Sequence, residues 1–228
     1  MTPTIASVTG ANRGLGFGLL KLLMAKPNYA VVAAVRDPAH PTAKDLSQLS
    51  TGEGSRIIAI NKGDDHVGNA VTNAGIAKVY ALVKDFKRAN ALENIEVNIL
   101  SVVFLDQATR PLLGKSISKP VYSIIGSRAG GLGCQPPVPS AAYGASKSIL
   151  PWYGVRNNSE DKWLNTFVLD SGWVQTDMGN GVAKRWGLES APDTVDKSTS
   201  GMVDLIVNGT KQQYGGKVIL NSGKVQEW

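Results

Sequence analysis

The chain has 228 residues, 43% of them hydrophobic and 18% charged, with a formal net charge of +6. That composition supports a sizeable buried core and excludes a disordered chain, and the length suits one α/β domain over residues 1–228. The basic residues are scattered with no Lys/Arg block, which speaks against a nucleic-acid surface, and one cysteine with two histidines excludes an intrachain disulfide and a zinc-type cluster.

In chain order, Thr4–Val8 reads as a buried strand, followed by a glycine-rich turn and an apolar helix from Leu15 to about Met24. Tyr29–Val35 is a second strand. A short helix follows in "TAKDLSQL", with Thr42 as its N-cap. Arg56–Ile60 is a third strand. A long helix spans about Ala91 to Leu113, with Pro111 near its end. Pro120–Ile125 is a strand, and a helix begins near Ala141. Asn165–Leu169 is a strand, about Val195 to Ile206 a helix, and Lys217–Asn221 the last strand. Continuous apolar strands alternating with helices predict a doubly wound parallel sheet of about seven strands, covered on both faces. The N-terminus "MTPTIASVTG" carries no basic segment ahead of a long apolar run, and no apolar run reaches membrane-span length. A soluble, cytoplasmic protein is the expectation.

Three stretches point to chemistry. The first is "TGANRGLG", with Thr9, Gly10, Gly14 and Gly16 between a strand and a helix. Glycines in that context allow a tight turn and let a pyrophosphate reach backbone amides at the helix N-terminus. The second is "AAYGASKSIL", with Tyr143 and Lys147 one helical turn apart. By itself that pair fits an ordinary helix face equally well. The third is "IIGSRAG", which puts Ser127 at the end of a strand, with Ser123 as a competing serine on that strand.

Taken together these motifs resemble the short-chain dehydrogenase/reductase family. T-G-x-x-x-G-x-G is that family's cofactor turn and Y-x-x-x-K its catalytic pair, and both occur here in the family's order. "TNAG" (Thr72–Gly75) is similar to the family's N-A-G motif, and Asn98 in "IEVNIL" falls where the family places its catalytic asparagine. "AAYGASK", "GWVQTDMG" and the terminal Trp228 are most similar to fungal ketoreductases of the norsolorinic acid ketoreductase kind.

The resemblance implies a Rossmann fold and a catalytic set of Asn98, Ser127, Tyr143 and Lys147. It implies cofactor contacts from Gly10, Asn12, Arg13, Gly14, Leu15 and Gly16 in the turn, and from Asn73, Ala74 and Gly75 beside it. Tyr143 and Lys147 would face the cofactor too, and Gly172, Val174 and Thr176 would hold its nicotinamide end. A free tyrosine titrates near pH 10, and an adjacent ammonium favours the phenolate, so Lys147 is expected to lower the Tyr143 pKa. In ketone or aldehyde reduction Tyr143 would then donate the proton while the cofactor supplies hydride, and Ser127 would hydrogen-bond the same oxygen. Asn98 would hold a water relaying protons towards Lys147. An NAD site of this kind places a carboxylate after the second strand. Here the strand runs into Val35, Arg36 and only then Asp37. With Arg13, Arg36 offers two guanidinium groups to a 2′-phosphate, so NADP(H) is the expected cofactor. The competing reading has Asp37 as an NAD ligand. A small-molecule carbonyl compound is the expected substrate, with no nucleic-acid or membrane partner, and the oligomeric state is open.

Several features depart from the family pattern. Ser171 stands where proline is usual before Gly172. Pro151 and Gly154 fall inside the helix that begins near Tyr143, where both weaken helix. The segment from Met178 to about Thr194 reads as a mobile lid. Between Ile60 and Thr72 the glycines Gly63 and Gly68 and the pair Asp64-Asp65 disfavour a helix. The helix between strands three and four is therefore expected to be missing, leaving an apolar sheet face bare near strand three. These departures keep a second function open, a catalytically idle NADP-binding regulator of the same fold.

Overall fold

The computed structural model describes residues 2–58 and 66–227. A single sheet has the strand order β3-β2-β1-β4-β5-β6-β7-β8. Its strands are β1 (Thr4–Thr9), β2 (Tyr29–Ala34), β3 (Arg56–Ile58), β4 (Asn69–Thr72), β5 (Val121–Ile125), β6 (Asn165–Asp170), β7 (Val218–Leu220) and β8 (Val225–Gln226). Every pairing is parallel except that of β7 with β8. The eighth strand was not expected from the sequence: two residues turn back after the tight turn at Gly223 and carry no periodicity of their own.

The central strands are apolar on both sides because helices cover both faces. On one face α1 (Gly14–Met24) and α8 (Val195–Asn208) pack Leu19, Leu20, Leu23, Met202, Leu205 and Ile206 against the sheet. On the other, α4 (Ser101–Leu113) and α6 (Leu150–Glu160) bury Val102, Leu113 and Leu150 against Tyr122, Ile124 and Val168. The sequence order of the strands reverses direction at β1, so the crevice between β1 and β4, at their C-terminal ends, is where a ligand site belongs in such a sheet.

Four expectations change. The short helix α2 (Pro41–Lys44) starts earlier than expected, and its N-cap is His40, whose ring nitrogen accepts the Thr42 N–H. Pro41 sits in the first turn, where no amide donor is needed. The long helix begins with α3 (Arg88–Ile95), passes through a π turn at Glu96–Leu100 and continues as α4. Pro151 does not interrupt a helix. One helix, α5 (Ala141–Ser148), ends before Ile149, and Pro151 occupies the first turn of α6. Gly154 is buried there, and a Cβ would lie 2.8 Å from Val168 Cγ2, so the glycine lets α6 approach β6.

Strands three and four are not neighbours: β3 pairs with β2, and β4 with β1. Residues 59–65 of the connection, including Gly63, Asp64 and Asp65, lie outside the described residues, so the expected missing helix falls largely there. Among the described residues, the neighbouring strands β1 and β2 show no bare apolar face on that side. Ile5, Ala30 and Val32, on that side of the sheet, are all buried.

Candidate active site

The glycine turn is tied to the end of β4 through the side chains of Thr9, which ends β1, and Asn73, which follows β4. Thr9 Oγ1 accepts the backbone N–H groups of Asn73 and Ala74, each at 3.0 Å. Asn73 Nδ2 donates to the carbonyl of Thr9 at 2.9 Å and reaches that of Gly10 at 3.4 Å. Gly10 and Gly14 have φ of +64° and +53°, in the left-handed region that side chains disfavour. A Cβ on Gly16 would lie 2.6 Å from Asn73 Nδ2 and closer still to the Gly10 carbonyl oxygen. No side chain caps the N-terminus of α1, where Gly14, Leu15 and Gly16 form the first turn. Backbone amides and the positive end of a helix dipole therefore face the crevice, as a pyrophosphate requires. These residues fit a dinucleotide.

The other expected cofactor contacts divide. Thr176 caps α7 (Asp177–Arg185) by accepting the Gly179 N–H at 3.1 Å. Its methyl lies 3.3 Å from where a Gly14 Cβ would stand, so the 172–176 turn closes onto the glycine turn. Gly172 has φ +78°, and Val174 is buried and bridges to Asp193. Asn12 Nδ2 donates to Thr42 Oγ1 at 2.7 Å, which ties the turn to α2. Arg36 is exposed just past β2. Arg13 is exposed and lies 3.8 Å from Asp177, so it leans towards α7 rather than towards Arg36.

The catalytic candidates come from three separate segments. Tyr143 and Lys147 share a face of α5, with Lys147 Nζ 5.9 Å from the Tyr143 ring centre. Lys147 is buried, and its ammonium donates to the Ile125 carbonyl at the end of β5, at 2.7 Å. Ser127 follows β5 and accepts the Ala129 N–H at 3.2 Å, which leaves its hydroxyl hydrogen free to turn to Tyr143. Asn98 lies in the π turn and is 1% exposed. Its amide clamps Ile76: Oδ1 accepts the Ile76 N–H at 2.8 Å, and Nδ2 donates to the Ile76 carbonyl at 3.0 Å. The same Nδ2 lies 2.9 Å from Ser146 Oγ and 3.0 Å from Asn94 Oδ1. Asn98 thus fixes the 73–76 segment beside Lys147. Gly75 stands between them, a Cβ there being 3.2 Å from Asn98 Oδ1 and 3.8 Å from Lys147 Nζ.

The electrostatics differ from the expectation. Burial pushes Tyr143 up to about 12; a hydrogen bond from Ser127 opposes this, and Tyr80 and Asp170 add to it. The Lys147 ammonium is turned to the Ile125 carbonyl, and burial destabilises its charge. Burial lowers Lys147 to about 8, with Asp170 opposing. Three groups around the site escaped the sequence reading. Tyr80 lies in the 73–87 segment with Arg185 of α7 over its ring at 5.3 Å. Ser146 donates to the Tyr143 carbonyl and accepts from Asn98. Asp170 ends β6, buried behind the cluster. A polar residue closing an apolar strand was the only signal for Asp170.

A parallel doubly wound sheet with a glycine turn at the β1–β4 crevice and a Ser-Tyr-Lys cluster beside it defines a dinucleotide-fold oxidoreductase. No family model matches the chain. A norsolorinic acid ketoreductase of Dothistroma septosporum is 32% identical over 237 residues, covering 94% of this chain and 88% of that protein. A short-chain dehydrogenase of Neurospora crassa is 30% identical over 237 residues, covering 93% and 92%. An NADPH-bound carbonyl reductase from chicken fatty liver superposes with a TM-score of 0.85 at 25% identity, over 100% of this chain and 95% of that one. The chain belongs to the short-chain dehydrogenase/reductase family.

Proposed function

We propose that the protein reduces a ketone or aldehyde to an alcohol with NADPH, and that Tyr143 donates the proton. The observation that carries this reading is the convergence of Ser127, at the C-terminal end of β5, with Tyr143 and Lys147 on one face of α5, beside the glycine turn. Bound in the β1–β4 crevice, the cofactor would supply a hydride to the carbonyl carbon. Tyr143, like any tyrosine, is protonated at neutral pH, and burial pushes its pKa further up. It therefore holds the proton that reduction consumes, and its Oη passes that proton to the carbonyl oxygen. The Ser127 hydroxyl donates a hydrogen bond to the same oxygen as charge develops there. Lys147 stabilises the phenolate left on Tyr143 and directs a ribose hydroxyl. Asn98 keeps Gly75 and Ile76 out of the space Lys147 needs. Arg36 and Arg13 would meet a 2′-phosphate, Arg13 after release from its exposed and weak pairing with Asp177. Helix α7 and the turn that follows it, about 178–194, would close over the substrate.

The reading is tested by NADPH oxidation against a panel of aromatic and aliphatic ketones. Tyr143→Phe keeps the ring and removes only the hydroxyl. It is expected to bind NADPH as the wild type does and to lose about 10²–10⁴-fold in turnover. Near-wild-type turnover in that variant would sink the mechanism.

A further inference from the structure

We propose that the turn at 82–86 and the C-terminal end of α7 together form a docking surface for an anionic lipid bilayer, set at the mouth of the crevice. The docking concerns the rim of the site and does not depend on the reductase reading.

The segment after β4 ends in a tight turn. The N–H groups of Asp85 and Phe86 both return to the Leu82 carbonyl, at 3.0 and 3.1 Å. That turn leaves Leu82 and Val83 outside, and Val83 is 79% exposed. Val79, on the way to the turn, is exposed as well. The end of α7 comes alongside, with the Arg185 guanidinium 5.3 Å from the Tyr80 ring centre. Just beyond Arg185, Trp186 and Leu188 are exposed on either side of Gly187, which turns the chain with φ +71°. Two apolar tips, distant in sequence, thus meet. They meet at the site: α7 starts beside the glycine turn, where Thr176 faces Gly14. The Ala81 carbonyl accepts the N–H of Ala141, the first residue of the helix that carries Tyr143, at 3.2 Å.

Exposed apolar side chains gathered in one place mark a surface that something covers. Charge says what covers it. Lys84, Lys87, Arg88, Lys184 and Arg185 flank the tips, all exposed, against the acidic Asp85 and Glu189. None of these five cations forms an ion pair among the described residues. The basic residues look scattered along the sequence, and the fold gathers five of them here. Apolar tips that enter the acyl boundary, ringed by cations that meet lipid phosphates, match an anionic bilayer. Trp186 suits the interfacial level, and the lysine stems can lie along the apolar surface while their ammonium groups reach the headgroups. A stable protein interface takes about 20–30 residues a side, far more than two narrow tips present. Among the described residues no helix is long and apolar enough to cross a membrane, so the contact is peripheral. The expectation of no membrane partner follows from the lack of a spanning run, and two tips joined only by the fold leave no such mark on the sequence.

The test is sedimentation of the full chain with vesicles of phosphatidylcholine alone and of phosphatidylcholine and phosphatidylserine in equal parts. The chain should bind the mixed vesicles, bind the neutral ones little, and let go as salt rises. Val83→Asp puts a charge on the apolar tip, and Lys84→Glu with Lys87→Glu reverses the flanking charge. Each should cut partitioning about tenfold or more. Ile117, nearly as exposed as Val83, lies ahead of β5 at the opposite end of the sheet, and Ile117→Asp should bind as the wild type does. Melts and NADPH titration check that the variants fold; if Val83→Asp does not, the lysine pair decides. No binding to the mixed vesicles at low salt overturns the proposal. So does binding that the tip variants leave unchanged, or that Ile117→Asp weakens equally. Self-association abolished by Val83→Asp, without vesicle binding, would make the surface an interface between copies and overturn the lipid assignment. Sedimentation needs no turnover, so a failed ketone panel would refute the reductase reading alone.

Discussion

Replacing Gly16 by alanine tests the architecture of the cofactor turn. The added Cβ would stand 2.6 Å from Asn73 Nδ2 and 2.8 Å from the Gly10 carbonyl carbon, and nearer still to its oxygen. Carbon contacts relax to about 3.5–4.0 Å, so the turn must open by nearly an ångström on two sides. Overpacking of this kind costs about 1–3 kcal/mol. Alanine regains up to about 1 kcal/mol of helix propensity over glycine, less in a first turn. The clash wins, because Gly10 is backbone and Asn73 is already anchored to the Thr9 carbonyl. Net destabilisation of about 1–2 kcal/mol lowers Tm by about 2–8 °C in a chain of this size. Cofactor affinity should drop further, since the displaced amides are those that would meet the pyrophosphate. Circular dichroism melts and tryptophan fluorescence titration with NADPH measure both. Gly181→Ala, in α7 with open space around it, is the control, expected to stabilise by about 0.5–1 kcal/mol. A Gly16→Ala protein that melts at or above the wild type and binds NADPH equally well would refute this account of the turn.

Other outcomes follow from the same contacts. Thr9→Val removes the acceptor of two backbone amides and should cost about 1–3 kcal/mol in urea unfolding. Arg36→Ser should weaken NADPH about tenfold or more while sparing NADH; equal losses for both would remove the 2′-phosphate role. Lys147 titrates near 8 when folded against 10.5 in the reference state. Between those values the unfolded chain binds the extra proton, so this group makes stability rise with pH from about 8 towards 10. Above 10 the raised Tyr143 pKa acts in the opposite sense. Lys147→Met should flatten the rise, as read from melts at stepped pH.

The sheet was legible because its strands are short, continuously apolar and set off by turn residues. Thr4–Val8 and Tyr29–Val35 could be read within one residue of their observed ends. Where local chemistry competed with periodicity the reading slipped. His40 took the cap that Thr42 was expected to provide, because Pro41 starts the helix two residues sooner. The π turn around Asn98 is invisible to a 3.6-residue period. Pro151 looked like a fault inside one helix and is instead the start of another. In the site, Tyr143, Lys147 and Ser127 could be found from spacing and family likeness. Their proton affinities could not, because the direction depends on burial and on where the Lys147 ammonium points. Asp170 and Tyr80 carry no motif, and only the fold brings them to the cluster.

The joint at Ile149 has a consequence for how this surface can change over evolutionary time. From Ala141 to Glu160 an unbroken helix would be a rigid lever about 30 Å long, at about 1.5 Å per residue. A tilt imposed at its outer end would then swing Tyr143 out of line. The break at Ile149 divides that length, with Lys147 fastened to the Ile125 carbonyl on one side and α6 on the other. Trp152 and Val155 are exposed on α6, beyond the break from Tyr143 and Lys147. That outer surface is free to drift, or to acquire a neighbour, without retuning the tyrosine.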